Sequence, residues 1–312
     1  TVVQNDGQYV RPVETDEFQI GVAETYDVIV EPKSPAVFPV VAESIDRSGE
    51  VVATFAPEAG MRAAAPPLRE RPLLTMEDMG MGGMGMPGMD MSGMDMSGMN
   101  MPGMQMDHSP PKAGMKQRGS AMPAKDSDNN QMRSGAGKSV RTGVGVDNVV
   151  MTPTSRLNDP GLGLENVGHR TLSYSQLRSL APNPDLRAPE REIEVHLTGN
   201  MERYMWSFDG VKFSDAKEPI IFHEGERVRV TLINDTMMTH PIHLHGMFFD
   251  LVVDESDYKP RKHTVDVKPA ERVSFDVTAD HIGDWAFHCH LLYHMHAGMM
   301  RVVSILPRGR AA

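Results

Sequence analysis

The chain has 312 residues, of which 28 are Gly, 23 Pro and 26 Met, while aromatic residues make up only 6%, so part of it is expected outside any packed core. A net charge of -11 argues against the broad basic surface that a nucleic-acid partner requires; a small cationic substrate, or acidity as a means of staying soluble, are the readings left. The single cysteine, Cys289, excludes an intrachain disulfide and a cysteine-built zinc finger, and no apolar run is long enough to span a bilayer.

Residues 1–55 carry β-rich runs at 18–22, 26–30 and 37–41 between Gly and Pro, which predicts several short strands but too few for a closed domain. Thr1 already stands in strand-like sequence with no charged-then-apolar leader before it, so the chain is read as starting partway through a longer protein. No Phe, Trp or Tyr occurs from 56 to 173, so burial cannot offset the entropy of ordering that stretch, and most of it is expected to be mobile.

Within 76–106 an imperfect repeat of Met with Gly, Ser, Pro and Asp brings together Met79, Met81, Met84, Met86, Met89, Met91, Met94, Met96, Met99, Met101, Met104 and Met106. Thioether sulfur needs no deprotonation and prefers cuprous copper, so these residues are candidate Cu(I) ligands; Asp107 and His108 stand at their end. The bland alternative is a linker in which Met is compositional bias. A short helix is expected within 171–180. From 191 onward the pattern is β, with strands predicted at 193–197, 227–233, 243–253, 264–267, 273–277 and 300–305, about one sandwich domain.

The chemistry sits in two stretches of that domain: His240-Pro241-Ile242-His243-Leu244-His245-Gly246, and His288-Cys289-His290 followed by His294 and Gly298-Met299. In a strand, neighbours face opposite ways and residues two apart share a face. Extended chain at 288–290 therefore puts His288 and His290 on one face and Cys289 on the other; the same parity groups His243 with His245 and sets His240 opposite. A thiolate, two imidazoles and a weak thioether form a blue-copper electron-transfer site, and Cys289, His294 and Met299 follow one another at intervals of five, with His240 as the second imidazole. The competing reading makes Cys289 an ordinary buried thiol and Met299 an ordinary core residue.

With both motifs in this order, the C-terminal part resembles the last cupredoxin domain of multicopper oxidases. The Met-rich segment makes it similar to the bacterial periplasmic copper-resistance members (the CopA/PcoA family). Residues 8–12 and 25–30 resemble closing strands of a middle cupredoxin domain. The resemblance implies an all-β chain: a remnant of a middle cupredoxin domain at 1–55, a Met/Gly-rich low-complexity segment and linker at 56–190, and a cupredoxin-like Greek-key β-sandwich at 191–312. It implies a type 1 copper on His240, Cys289, His294 and Met299, a type 2 copper on His243, and type 3 copper on His245, His288 and His290, with Cys289 and its two flanking histidines as the electron path. It also departs from the family, because no His precedes His108. The other half of the trinuclear cluster is then expected from a missing N-terminal cupredoxin domain, and this chain alone is expected not to reduce dioxygen.

The function implied is oxidation of Cu(I), or of phenols, with O2 reduced to water; the alternative is a periplasmic copper-sequestering protein that works through its methionines. Met237 and Met238, with Asp235 just before them, precede His240 and are candidates to hold substrate Cu(I), or else are core methionines. His296 is read as a rim residue. His169, His196, His223, His263 and His281 are read as ordinary side chains, and Trp285 as core.

Overall fold

The computed structural model describes residues 1–74, 78 and 140–309. The candidate Cu(I) methionines from Met79 to Met106, together with Asp107 and His108, lie outside the described residues.

Five strands occupy the N-terminal segment: β1 (Val2–Asn5), β2 (Gln8–Val13), β3 (Tyr26–Val28), β4 (Phe38–Glu43) and β5 (Glu50–Phe55). β1 lies between β2 and β3 in a three-stranded antiparallel sheet, and β4 pairs with β5. Residues 18–22 do not form the predicted strand. Gly21 gives its N–H to Glu24 Oε2, Ala23 adopts φ 74°, and a Cβ at Gly21 would lie 2.0 Å from Asp266 Oδ1. The chain turns there to pass close to β13 (Thr264–Val267), so its backbone groups are spent on local partners instead of a ladder.

The other strands are β6 (Arg191–Asn200), β7 (Met205–Phe208), β8 (Ile220–His223), β9 (Arg227–Asn234), β10 (His240–Leu244), β11 (Phe249–Leu251), β12 (Arg261–Lys262), β14 (Arg272–Thr278), β15 (Gly283–Cys289) and β16 (Met300–Leu306). They form two sheets, β13-β10-β15-β16-β8 and β12-β11-β14-β9-β6-β7. Alternation decides which side of each strand is buried. Val228, Val230 and Leu232 of β9 pair across the ladder with Val277, Phe275 and Val273 of β14, and all six join one core cluster with Ile242, Leu244, Phe287, Val303 and Ile305 of the facing sheet. This is an all-β sandwich of cupredoxin type.

The predicted strand at 243–253 is two strands in different sheets. Gly246, at φ 79°, breaks the run, and a Cβ there would meet the Trp285 ring at 2.4 Å. Only glycine lets the chain turn so close to that indole. The helix expected at 171–180 reduces to one 3-10 turn, Tyr174–Gln176, closed by Gln176 Oε1 accepting the Ser173 N–H at 2.7 Å. Residues 140–190 are not loose chain: Val146, Val150, Leu157, Leu164, Leu172, Tyr174 and Leu177 are all buried.

Candidate metal centre

β10 and β15 are antiparallel neighbours, with Ile242 opposite Cys289, His243 opposite His288 and Leu244 opposite Phe287. This register sorts the chemistry by face. His240, Ile242 and Leu244 point into the sandwich with Phe287 and Cys289, and all five are buried. His243, His245, His288 and His290 belong to the other parity, where their rings gather.

On the core side, His240 Nδ1 and His294 Nδ1 are 3.0 Å apart and lie 3.6 and 3.7 Å from Cys289 Sγ. These sides define a circle of radius about 2.0 Å, the length of a metal–nitrogen bond, so one ion at its centre would reach all three atoms. His294 comes from α1 (Leu292–His296), the short helix that follows β15, and its ring stacks on Trp206 with centroids 4.3 Å apart. Met299 is wholly buried; its N–H donates to His294 O at 2.9 Å and its carbonyl accepts the Cys289 N–H at 3.1 Å. Gly298, at φ 128°, closes this loop, because a Cβ there would strike Lys212 Cβ and the Trp206 carbonyl.

Hydrogen bonds fix which nitrogen of His240 is free. Asn234 Nδ2 donates to the carbonyls of Met238 and Val267, so its Oδ1 must face Thr236. The Thr236 hydroxyl donates to that oxygen at 2.9 Å and therefore accepts the Nε2–H of His240 at 2.6 Å. Nδ1 is left as a bare lone pair toward Cys289. Burial, then the neighbouring His294, holds His240 well below the usual imidazole range; burial lowers His294 to about 4 and pushes the Cys289 thiol up to about 12. At neutral pH the three donors are thus uncharged, with one proton for an incoming cation to displace.

On the opposite face, His243 Nδ1–H donates to the His263 carbonyl at 2.7 Å and His288 Nδ1–H to the Cys289 carbonyl at 3.0 Å. A carbonyl only accepts, so in the neutral rings both Nε2 atoms carry lone pairs. His288 Nε2 lies 3.0 Å from His245 Nε2, and the His290 ring centroid is 5.6 Å from that of His243. Burial lowers His243 to about 4 and also lowers His245 and His288. His290 Nδ1 is buried without a hydrogen-bond partner. An orphaned buried ring nitrogen among four gathered imidazoles fits a set of borderline metal ligands. Among the described residues, His240, Cys289 and His294 are the group whose donor atoms all lie within 4.8 Å of one another.

The remaining sequence candidates are placed as follows. Met237 is exposed over just under half of its surface, and Met238 is partly buried against the core. Asp235 does not face outward with them: it is buried, with Oδ1 accepting the Val150 N–H at 2.8 Å and Oδ2 2.7 Å from His196 Nδ1. Its carboxylate serves the scaffold. His196 is correspondingly more than an ordinary side chain; burial alone would depress it, but the bond and charge of Asp235 outweigh that and raise it. His263, also read as ordinary, has its ring 5.0 Å from His243 and its carbonyl on the His243 proton. Thr236, Trp206 and His263 escape sequence reasoning because their roles are contacts between distant residues; only the position of Thr236, four before His240, offered a local sign.

Family models described as multicopper oxidase match residues 1–61 and 187–309. The chain is 51% identical to copper resistance protein A of Escherichia coli over 98% of its own length and 52% of that protein's. It is 50% identical to copper resistance protein A of Pseudomonas syringae pv. tomato, again over 98% of this chain and 52% of the relative. It therefore spans about half the length of the curated relatives it matches. A laccase structure from Pediococcus acidilactici aligns at 27% identity with a TM-score of 0.36, covering 41% of this chain and 30% of that one.

Proposed function

Because the chain belongs to the multicopper oxidases, we propose that it is the electron-accepting part of a copper-resistance oxidase that takes single electrons from Cu(I) and passes them toward dioxygen. The observation that carries this reading is the buried triangle of His240, Cys289 and His294 with two histidines peptide-bonded to the same cysteine but facing the other way.

In this reading His240, Cys289, His294 and Met299 hold a type 1 copper, His243 a type 2 copper, and His245, His288 and His290 type 3 copper. Copper supplies the one-electron couple, made fast at the first site by a covalent bond to sulfur. The protein's part is to prepare the donors. Loss of the thiol proton leaves a buried donor set whose single negative charge balances a monovalent cation and falls one short of a divalent one, so a one-electron change alters the local charge by one unit only. Thr236 keeps Nδ1 of His240 deprotonated, and the Trp206 ring holds the plane of His294. Cys289 and its two peptide bonds form the shortest covalent bridge between the faces. Phenols remain an alternative electron source in this reading. We assign the cluster's remaining histidines to the part of the relatives' length that this chain does not span, and the compartment to the periplasm.

Substrate Cu(I) is proposed to arrive beside His240 at Met237 and Met238, without Asp235. The methionines of 76–106 are proposed as its reservoir, and sequestration without oxidation is the competing function. Cu(II) loading of the 312-residue chain should give an intense visible thiolate-to-copper band that Cys289→Ser abolishes and His243→Ala retains. Absence of that band from the unaltered chain would sink the proposal. O2 uptake with Cu(I) is expected from the full-length protein and not from this chain.

A further inference from the structure

The tip of the β1–β2 hairpin is Asp6-Gly7, a two-residue turn in which both residues have positive φ, 47° and 71°. Asp-Gly suits such a turn, since Gly pays no steric cost and Asp tolerates the left-handed region. Asp6 does more than turn the chain. Its side chain is wholly buried and both oxygens are used: Oδ1 accepts the Thr25 N–H at 3.0 Å, while Oδ2 accepts the N–H of His263 at 3.0 Å and of Thr264 at 3.3 Å. Lys262 Nζ, also fully buried, lies 3.2 Å from Oδ2 and 2.9 Å from Glu24 Oε1. The neighbouring Asn5 donates from Nδ2 to the Arg261 carbonyl at 2.8 Å.

The segment gripped this way is the corner where the chain leaves β12 in one sheet and enters β13 in the other; His263 itself is a bend in neither. Its N–H therefore takes a carboxylate from the N-terminal segment as acceptor. The next peptide, from His263 to Thr264, gives its N–H to the same Oδ2 at 3.3 Å and presents its carbonyl, that of His263, to two donors, His243 Nδ1–H at 2.7 Å and the Leu244 N–H at 3.1 Å. The orientation of one peptide thus connects Asp6 to the ring of His243.

We propose that Asp6 is a positioning residue for His243: through the peptide between His263 and Thr264 it fixes the imidazole with Nδ1 protonated and Nε2 turned to the histidine cluster. The functional meaning rests on the reading of His243 as a copper ligand; the geometry does not. The N-terminal segment is then part of the half-cluster it packs against. No amide replaces Asp6 fully, because one end of an Asn side chain would oppose either the Thr25 or the His263 N–H with an N–H of its own.

The test uses the metal-free 312-residue chain, labelled with 15N in histidine, and reads tautomers and ring N–H exchange by long-range proton–nitrogen correlation. The unaltered chain should show His243 in the single Nδ1–H form, with slow exchange at that proton. Asp6→Ala should mix the tautomers and speed exchange roughly tenfold, the effect of one lost hydrogen bond. His288, whose Nδ1–H is held by its own strand at the Cys289 carbonyl, should not change. Val2→Ala, which loosens packing of the same hairpin without touching Asp6, should leave His243 fixed. If the Asp6→Ala chain does not fold, Asp6→Gly, which suits the same positive φ, reads the same way. The proposal is overturned by a His243 that already averages tautomers in the unaltered chain, by an unmoved His243 in the Asp6 variants, or by equal loosening of His288 or in Val2→Ala. Copper plays no part in this measurement, so its failure is separate from failure of the copper reading.

Discussion

Thr236→Val removes one hydroxyl and keeps the side-chain shape. In the folded chain that hydroxyl joins the His240 Nε2–H at 2.6 Å to Asn234 Oδ1 at 2.9 Å, all of it buried. Asn234 keeps other partners, among them the Thr236 N–H at 2.9 Å on the same oxygen, so it bears little of the loss. His240 has no such reserve. Its Nε2–H becomes a buried donor without an acceptor, which costs about 1–3 kcal/mol. The ring can recover part of this by moving its proton to Nδ1, but that occupies the lone pair aimed at Cys289. Stability and metal affinity should therefore fall together. The unfolding midpoint in urea should drop by the equivalent of about 1–3 kcal/mol, and Cu(I) affinity, measured by competition with a chromophoric chelator, by about 10- to 100-fold. Thr236→Ser keeps the hydroxyl and should regain most of the affinity while losing only the methyl packing. If Thr236→Val binds copper within twofold of the unaltered chain, or if Ser does no better than Val, the hydroxyl does not set the tautomer and the argument is wrong.

Three further outcomes are expected. Gly246→Ala should cost about 2–4 kcal/mol in urea unfolding, because positive φ and overlap with the Trp285 ring act at one position; a loss below about 0.5 kcal/mol would mean that the indole moves aside freely. The pair of His196 and Asp235 should make stability pH-dependent: a histidine whose folded pKa is raised contributes fully below its unfolded value, about 6.5, and loses that contribution as pH rises through the folded value. The stability difference between the unaltered chain and His196→Gln, followed by urea unfolding across that range, should shrink with rising pH; a constant or growing difference contradicts the pairing. Deleting 76–106 should lower the number of Cu(I) ions bound in anaerobic titration while leaving the visible copper band intact, and an unchanged stoichiometry would remove the methionines from the reservoir role.

How much of this was legible in the sequence depended on distance along the chain. The opposition of Cys289 to His288 and His290 follows from the period of two in any strand, so it could be read from three consecutive residues. Strand positions such as 264–267 and 273–277 were equally visible, because Val265, Val267, Val273, Phe275 and Val277 alternate with polar neighbours and each is buried. The run 243–253 was misread as one strand because its apolar residues continue through Gly246, and nothing local reveals that the Trp285 ring stands where a Cβ would be. Residues 18–22 looked like a strand for the opposite reason: their propensity is real, but the close approach to Asp266 claims that backbone.

The candidate ligands and the groups that orient them were therefore legible to different degrees. Cys289, His294 and Met299 lie within eleven residues, close enough for one loop to close around one ion, so the spacing alone suggests the proposed chemistry. The proton on His243 is set by a carbonyl 20 positions away, and the N–H of that carbonyl's peptide is held by a carboxylate 258 positions away. No spacing rule connects Asp6 to His243, since the connection exists only once the hairpin tip is packed against the corner between the two sheets. A sequence can thus name the atoms that would touch a metal and still leave open which of them are free to bind it. The tautomers are a property of the fold, which is why substitutions at Thr236 and Asp6 discriminate better than substitutions of the ligands themselves.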